Sequence, residues 1–185
     1  MIPNYLNSVI KQFEYYKSLG DKTFAQLDEN DIHWTADPNT NSIAIIVNHL
    51  WGNMMSRWTN FLTTDGEKEW RQRDLEFEKV IKTKADLIDK WEEGWRCLFG
   101  ALYSITPDNF DRPIYIRKQK HTMIEAFNRQ LCHYAYHVGQ IVLIGTQVKG
   151  NNWQSLSIPK GGSKAFNEEK MSRGKLDGHF TDDIK

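Results

Sequence analysis

Apolar positions recur at steps of three and four in four separate stretches of the chain, the spacing of one face of an α-helix. Tyr5/Leu6, Val9, Phe13 and Tyr16 open the first stretch, which Gly20 interrupts before Phe24 and Leu27 resume it. Ile43, Val47, Leu50, Met54, Trp58 and Phe61 mark the second. Asn41 or Ser42 caps it after the turn-forming DPNTN, and it should end near Thr64, where Asp65-Gly66 supplies a turn. The third is the most regular, with Ile88, Trp91, Trp95, Leu98, Leu102 and Ile105 repeating as 3-4-3-4-3. Thr83 and Asp86 resemble a capping box at its start, and Pro107 closes it. Ile124, Phe127, Leu131, Tyr134, Val138, Ile141 and Val148 form the fourth, with small Gly145 in the seam.

Such seams predict an all-α, four-helix bundle with shallow packing angles. Residues 63–82 leave a 20-residue link between the second and third helices. Antiparallel neighbours need only two to eight linking residues. A link this long can run back along a helix of roughly 31 Å, so it predicts a crossover, parallel second and third helices, and up-down-down-up order. The link over 106–121 contains PIYIRK, a short strand or extended edge. From Gly150 the periodicity is lost, and five of the 12 glycines (150, 161, 162, 174, 178) fall in the last 36 residues. The expected division is a bundle over 1–149 and an irregular tail over 150–185. Trp153, Leu156 and Ile158 would dock that tail on the bundle, and its end beyond about Met171 would be loose.

Composition narrows the function classes. At 185 residues the chain is about one domain, and 12% aromatic residues argue for an ordered core. Lys+Arg and Asp+Glu are both 24, so the net charge is zero. That balance opposes a nucleic-acid partner and a polybasic membrane anchor. No apolar run approaches the roughly 20 residues a membrane helix needs, and MIPNYLNSVIKQ carries no export signal. The expectation is a cytoplasmic protein without a membrane partner. Cys97 and Cys132 are too few for a disulfide scaffold.

The candidate chemistry lies in HYAYH at 133–137. His133 and His137 stand four apart on the fourth helix, so both imidazoles project from nearly one face and can reach one metal ion. Each precedes a seam residue, Tyr134 or Val138, which puts it at the border of the buried face. Gln130 and Gln140 continue that polar stripe. On the second helix His49 precedes seam residue Leu50, and Asn53 and Arg57 follow on its face. Facing polar stripes can build an interior metal site, and three neutral imidazoles leave open positions for water, as in catalytic sites. Hydrogen-bonded, half-buried structural histidines suit the same placement, and these residues alone leave both readings open.

Other residues read more simply. His33, His121 and His179 fall in loops or at a helix start and are not expected as ligands. Cys132 points about 100° from His133 and reads as a small buried residue, Cys97 as packing. The tryptophans are mostly core, with Trp34 and Trp70 in loops able to line a pocket. Glu92-Glu93 and GEKEWRQRD read as solvated surface, and no carboxylate placed for acid/base work accompanies the histidine pair. HExxH, Glu-x-x-His, C-x-x-C, GxxxxGK and GxSxG patterns are all missing.

A helix-two His in NHLWGN, H-x-x-x-H in the fourth helix and the long second link resemble the DinB/YfiT-like metal-binding superfamily. NSIAIIVNHLWGNMMSRWTNFLTTDGEKEW, NRQLCHYAYHVGQI and WQSLSIPKG resemble an uncharacterised bacterial branch of it, over about residues 5–165. The resemblance implies an up-down-down-up homodimer holding one divalent ion, Ni(II) or Zn(II), on His49, His133 and His137. It also implies thiol-dependent chemistry, because characterised relatives include bacillithiol transferases and a mycothiol-dependent isomerase. This chain reads HVGQI where many such relatives read HRGQ. The leading expectation is a metal-dependent enzyme moving a low-molecular-weight thiol onto an electrophile. Asn53, Arg57 and Gln140 are its candidate catalytic or substrate-orienting residues, and a small molecule, a bacterial thiol, is its substrate. The alternative is a non-catalytic, stress-related helical dimer that the ion merely clamps.

Overall fold

In the computed structural model the described residues are 2–175 and 177–182, and four long helices dominate. They are α1 (Ile2–Gln26), α2 (Ile43–Trp58), α3 (Lys84–Tyr103) and α4 (Met123–Lys149). A small hairpin of β1 (Ile114–Ile116) and β2 (Gln119–His121) precedes α4, and a short α5 (Ser163–Ser172) follows it. The fold is all-α apart from that hairpin, of which PIYIRK supplies β1 and the turn. Three helix starts are closed by side chains that satisfy otherwise orphaned N–H groups. Ser42 Oγ accepts from Ile45 N–H on α2, and full capping boxes join Thr83 to Asp86 and Thr122 to Glu125.

Cross-helix contacts fix the running directions. On α1 and α4 the Tyr5 hydroxyl donates to Asn128 (2.8 Å), Phe13 packs on Tyr134, and Thr23 meets Gly145, so the two helices run together. On α2 and α4 Trp58 packs on Phe127 while His49 lies beside His137, so these run oppositely. Trp51 N–H donates to Glu93 and Thr59 touches Cys97, which makes α2 and α3 parallel. Tyr103 meets Glu14 while Trp91 N–H donates to Asp21, which makes α1 and α3 antiparallel. The order is up, down, down, up. A single core results, in which Phe13, Trp91, Trp95, Phe127 and Tyr134 are essentially inaccessible to water. No helix among the described residues is long and apolar enough to cross a membrane.

Five local expectations are corrected. Gly20 does not interrupt α1: the helix runs straight through it, and the absent side chain makes room for the Trp91 indole, 2.3 Å from where a Cβ would stand. The second helix ends at Trp58 rather than near Thr64, with Thr59 extended and Asn60 left-handed (φ 49°). Phe61 stays buried from the turn beyond, so the apolar spacing outlasts the helical backbone. The GEKEWRQRD stretch is not simply solvated, because Arg71 is buried and the following 3-10 turn, Asp74–Phe77, packs on α2. The tail is not wholly irregular, since it contains α5, a helix with no buried residue and hence no apolar seam to announce it. Cys132 is exposed rather than buried.

Before α5 the tail is tied to α1 by reciprocal bonds between Gln26 and Gln154 (3.1 and 2.8 Å). The expected loose end falls partly on residues 176 and 183–185, outside the described residues. His179 and Asp182 bond back to Ser8 and Lys11 of α1.

Candidate metal centre

Antiparallel packing of α2 on α4 brings His49 opposite the turn that carries His133 and His137. His133 Nε2 lies 3.3 Å from His49 Nε2 and 3.2 Å from His137 Nε2. Ligand atoms of all three lie within 4.8 Å of one another. Two nitrogens bound tetrahedrally to one ion at 2.0–2.1 Å would stand about 3.3 Å apart, so the observed spacings suit a shared cation.

The outward-facing ring nitrogens decide which tautomers these are. His49 Nδ1 lies 2.8 Å from the Glu76 carboxylate, which accepts only, so Nδ1 carries the proton and Nε2 is bare. His137 Nδ1 lies 2.8 Å from Gln140 Oε1, an acceptor that fixes the same tautomer. Two bare Nε2 atoms therefore face His133 Nε2, at distances that either a proton on His133 Nε2 or a shared cation can bridge. Burial pushes His133 down to about 3, and the nearby His137 and His49 add to the effect. Burial lowers His137 as well, against the opposing bond to Gln140. Both are therefore neutral and available as ligands at pH 7.

Glu76 is the functional residue that sequence reasoning missed. It stands in the crossover link, on the 3-10 turn that packs against α2, and is buried. Burial pushes its carboxyl up, but bonds from His49 and Arg71 outweigh this and hold it below the usual carboxylate range. Arg71 Nε donates to Oε1 (2.6 Å) and Nη2 to Oε2 (3.0 Å), while Asn48 Nδ2 donates to the Glu76 carbonyl (3.0 Å). A carboxylate behind a ligating imidazole fixes ring orientation and strengthens the donor. With both oxygens engaged, Glu76 orients His49 rather than shuttling protons. The crossover's length hinted that some link residue would lie along α2, but no spacing rule selects residue 76.

The other sequence candidates divide between the site and its surroundings. Gln140 touches His137, as described. Asn53 is buried, accepts from the Tyr134 hydroxyl (3.0 Å), and borders a cavity of about 180 Å³ that reaches His49 and His133. Arg57 borders that cavity as well and donates to the Gly66 carbonyl (2.9 Å). Gln130 is a further lining residue. On the outer side Phe77 stacks on His49 with centroids 5.0 Å apart, and exposed Tyr136 packs edge-on against His137. His33, His121 and His179 bond elsewhere, to the Lys82 carbonyl, the Gln119 carbonyl and Ser8. Trp34 lines a separate surface hollow with Gln140, and Trp70 is exposed. Cys97 packs against Thr59 and the Met54 carbonyl.

Neither the curated proteins nor the solved structures contain a match to this chain. The family described as "Protein of unknown function (DUF1572)" matches residues 1–162, from α1 to the start of the tail and including all three histidines and Glu76. The chain belongs to that family.

Proposed function

We propose that His49, His133 and His137 hold one divalent ion, Zn(II) or Ni(II), in a catalytic centre that transfers a small thiol to an electrophile. The observation that carries the metal reading is the convergence of three Nε2 atoms whose outer nitrogens are tied to Glu76 and Gln140. A closed structural site would be sealed by a fourth protein ligand. Here the group has three histidines, two of them half-buried, and borders a cavity, which supports a site open to substrate. The thiol reading comes from the resemblance to the DinB/YfiT-like superfamily, which also supports a cytoplasmic homodimer.

A divalent ion held there would lower the pKa of a bound thiol into the neutral range. The chain's residues supply the rest. Glu76 and Gln140 hold two imidazoles in the ligating tautomer, and Phe77 and Tyr136 give the approach an apolar wall. Asn53 and Arg57 stand on the cavity side, where they can orient the electrophile. The new S–C bond forms as the electrophile's leaving group departs, and the thiol proton passes to solvent.

Elemental analysis of the purified chain should find one ion per chain, lost in His49→Ala and His133→Ala. The loaded protein should consume bacillithiol or a similar thiol with a reactive halide or epoxide, and His133→Ala should abolish that turnover. Wild-type protein that takes up no metal would end the metal reading. Full loading with no turnover on a thiol panel would leave the ion but end the transferase reading.

A further inference from the structure

The cavity beside the histidines is lined by four arginines, Arg57, Arg73, Arg117 and Arg129, and by no carboxylate. In a chain of zero net charge this is a strong local excess of one sign. The four come from separate parts of the fold and are brought together by specific contacts. Arg57 lies on α2 and is only 3% exposed. Arg117 sits in the two-residue turn between β1 and β2, where it and Lys118 are left-handed (φ 55° and 63°), the conformation of a tight hairpin turn. Asp65 pins that turn by accepting from both backbone N–H groups, at 2.8 and 2.6 Å. Arg73 lies in the crossover link. Arg129 projects from α4 one turn before His133 and donates to His121 Nε2 (3.2 Å).

The positive charge is only partly neutralised. Glu67 reaches Arg117 at 3.3 Å and Arg73 at 3.6 Å, both on partly exposed side chains. Among the described residues no carboxylate forms an ion pair with Arg57 or Arg129. Arg57 spends one N–H on the Gly66 carbonyl, while its buried Nε has no partner. The amide oxygen of Gln130, 2% exposed and also lining the cavity, is likewise unpartnered. A buried guanidinium with an unused donor costs stability unless something binds it. Guanidinium forks favour planar or tetrahedral oxyanions, which they can grip with two parallel bonds.

We propose that this cavity receives an oxyanionic group of the substrate, a carboxylate or a phosphate, while the substrate's reacting atom lies at the histidine cluster. The inference deepens the metal-centre reading and rests on it for the second half of that statement. Volume supports it. About 180 Å³ is the liquid volume of roughly six waters, below the 300–1,000 Å³ typical of a whole ligand, so the cavity suits one head group and not a complete substrate. His49 and His133 also line it, so an anion there would sit within one small-molecule length of the proposed ion.

Calorimetric titration of the metal-free full-length chain with inorganic phosphate, with succinate and with neutral succinamide isolates the arginines from any ion. Saturable binding of phosphate or succinate, without succinamide, is expected, and whichever anion binds identifies the head group. In Arg117→Gln/Arg129→Gln, two exposed positions whose change leaves the core intact, binding should weaken about tenfold or more. Raising salt to about 0.5 M should weaken wild-type binding further. Unchanged affinity in the double variant, or no wild-type binding of either anion up to about 10 mM, would overturn the proposal. Zinc uptake measured on the same samples separates the two readings: zinc bound without oxyanion binding removes only the arginine site, and oxyanion binding without zinc uptake removes only the metal centre.

Discussion

Glu76 Oε2 lies 2.8 Å from His49 Nδ1, so a carboxylate from the crossover link aims a helix-two imidazole at the histidine pair of α4. Arg71 holds the same carboxylate from behind through two bonds. Replacing Glu76 by Gln keeps the volume but removes the charge that strengthens the imidazole donor. Metal affinity should fall about 10–100-fold in Glu76→Gln, measured by competition with a calibrated chelator. Unaltered affinity would show that His49 needs no orienting partner. Glu76→Ala should do more, because it removes both hydrogen bonds of buried Arg71 and leaves it only the longer pair with Glu67 at 3.5 Å; a fully broken buried pair costs about 3–5 kcal/mol, the upper bound here.

Gly52 tests the same relationship without replacing a ligand or its partner. A Cβ at residue 52 would stand 2.6 Å from Glu76 Oε1. The glutamate cannot simply swing aside, since Arg71 and His49 hold it. Gly52→Ala gains up to about 1 kcal/mol of helix propensity yet displaces the carboxylate. The expected outcome is a folded protein with about tenfold weaker metal binding, read from chelator competition beside a thermal melt. A variant that melts lower and binds metal normally would place the clash elsewhere.

The helices were readable because burial repeats along them: each seam residue on α3 from Trp91 to Leu102 is buried, and the Thr83–Asp86 cap forms as its spacing implies. The histidine triplet was readable for a related reason, since i,i+4 on one helix and a polar stripe on its neighbour are local patterns. Glu76, Arg73 and Arg117 were not. Each reaches the site through a link or a hairpin turn, and the closure of a 25-residue connection between α2 and α3 has no periodic signature. Gly20 misled for the opposite reason: local propensity disfavours glycine in a helix, but packing against Trp91 overrides it.

Acid should destabilise the metal-free protein in a window set by the histidines. His133 is pushed down to about 3 when folded and His137 is also lowered, whereas both titrate near 6.5 when unfolded. The unfolded chain therefore binds more protons below pH 6.5, and stability falls as pH drops through that value. The carboxyl of Glu76, lowered in the fold, contributes only below its unfolded value near 4.3. Between pH 6.5 and 4.5 the histidines thus dominate among these groups, each adding a loss of up to about 1.4 kcal/mol per pH unit. Urea melts at pH 7.5, 6.0 and 5.0 should show this slope, and His133→Asn should flatten it. A pH-independent midpoint would mean the imidazoles stay solvated.

Tyr134 couples the core to the site through its hydroxyl, which accepts from Trp58 Nε1 and donates to Asn53 Oδ1, both at 3.0 Å. All three residues are buried, and Asn53 borders the cavity. Tyr134→Phe leaves the Trp58 indole N–H without a partner in the core and takes the hydroxyl donor from Asn53 Oδ1. A loss of about 1–3 kcal/mol is expected in denaturant melts. Trp58→Phe should cost less in the Tyr134→Phe background than in wild type, because the packing loss remains but the bond it would break is already gone; full additivity would refute the coupling.

Gly20→Ala sets two opposed effects against each other. Alanine is favoured over glycine inside a helix by up to about 1 kcal/mol, which by itself would stabilise α1. Against this, the new Cβ would stand 2.3 and 2.6 Å from two atoms of the Trp91 indole. That ring has nowhere to go: its N–H is held by Asp21 at 2.7 Å, and its faces and edges pack against Phe24 and Trp95. Overpacking of this kind costs about 1–3 kcal/mol, so strain outweighs propensity. With the propensity gain subtracted the net loss is about 2 kcal/mol at the upper end of the strain range, so the melting temperature should fall by up to about 8 °C while metal affinity stays within about twofold, because Trp91 lies on the α1–α3 side of the core and the histidines on the α2–α4 side. A smaller side chain provides the control: in a Trp91→Leu background Gly20→Ala should cease to destabilise, and a persistent loss there would trace the penalty to the α1 backbone instead.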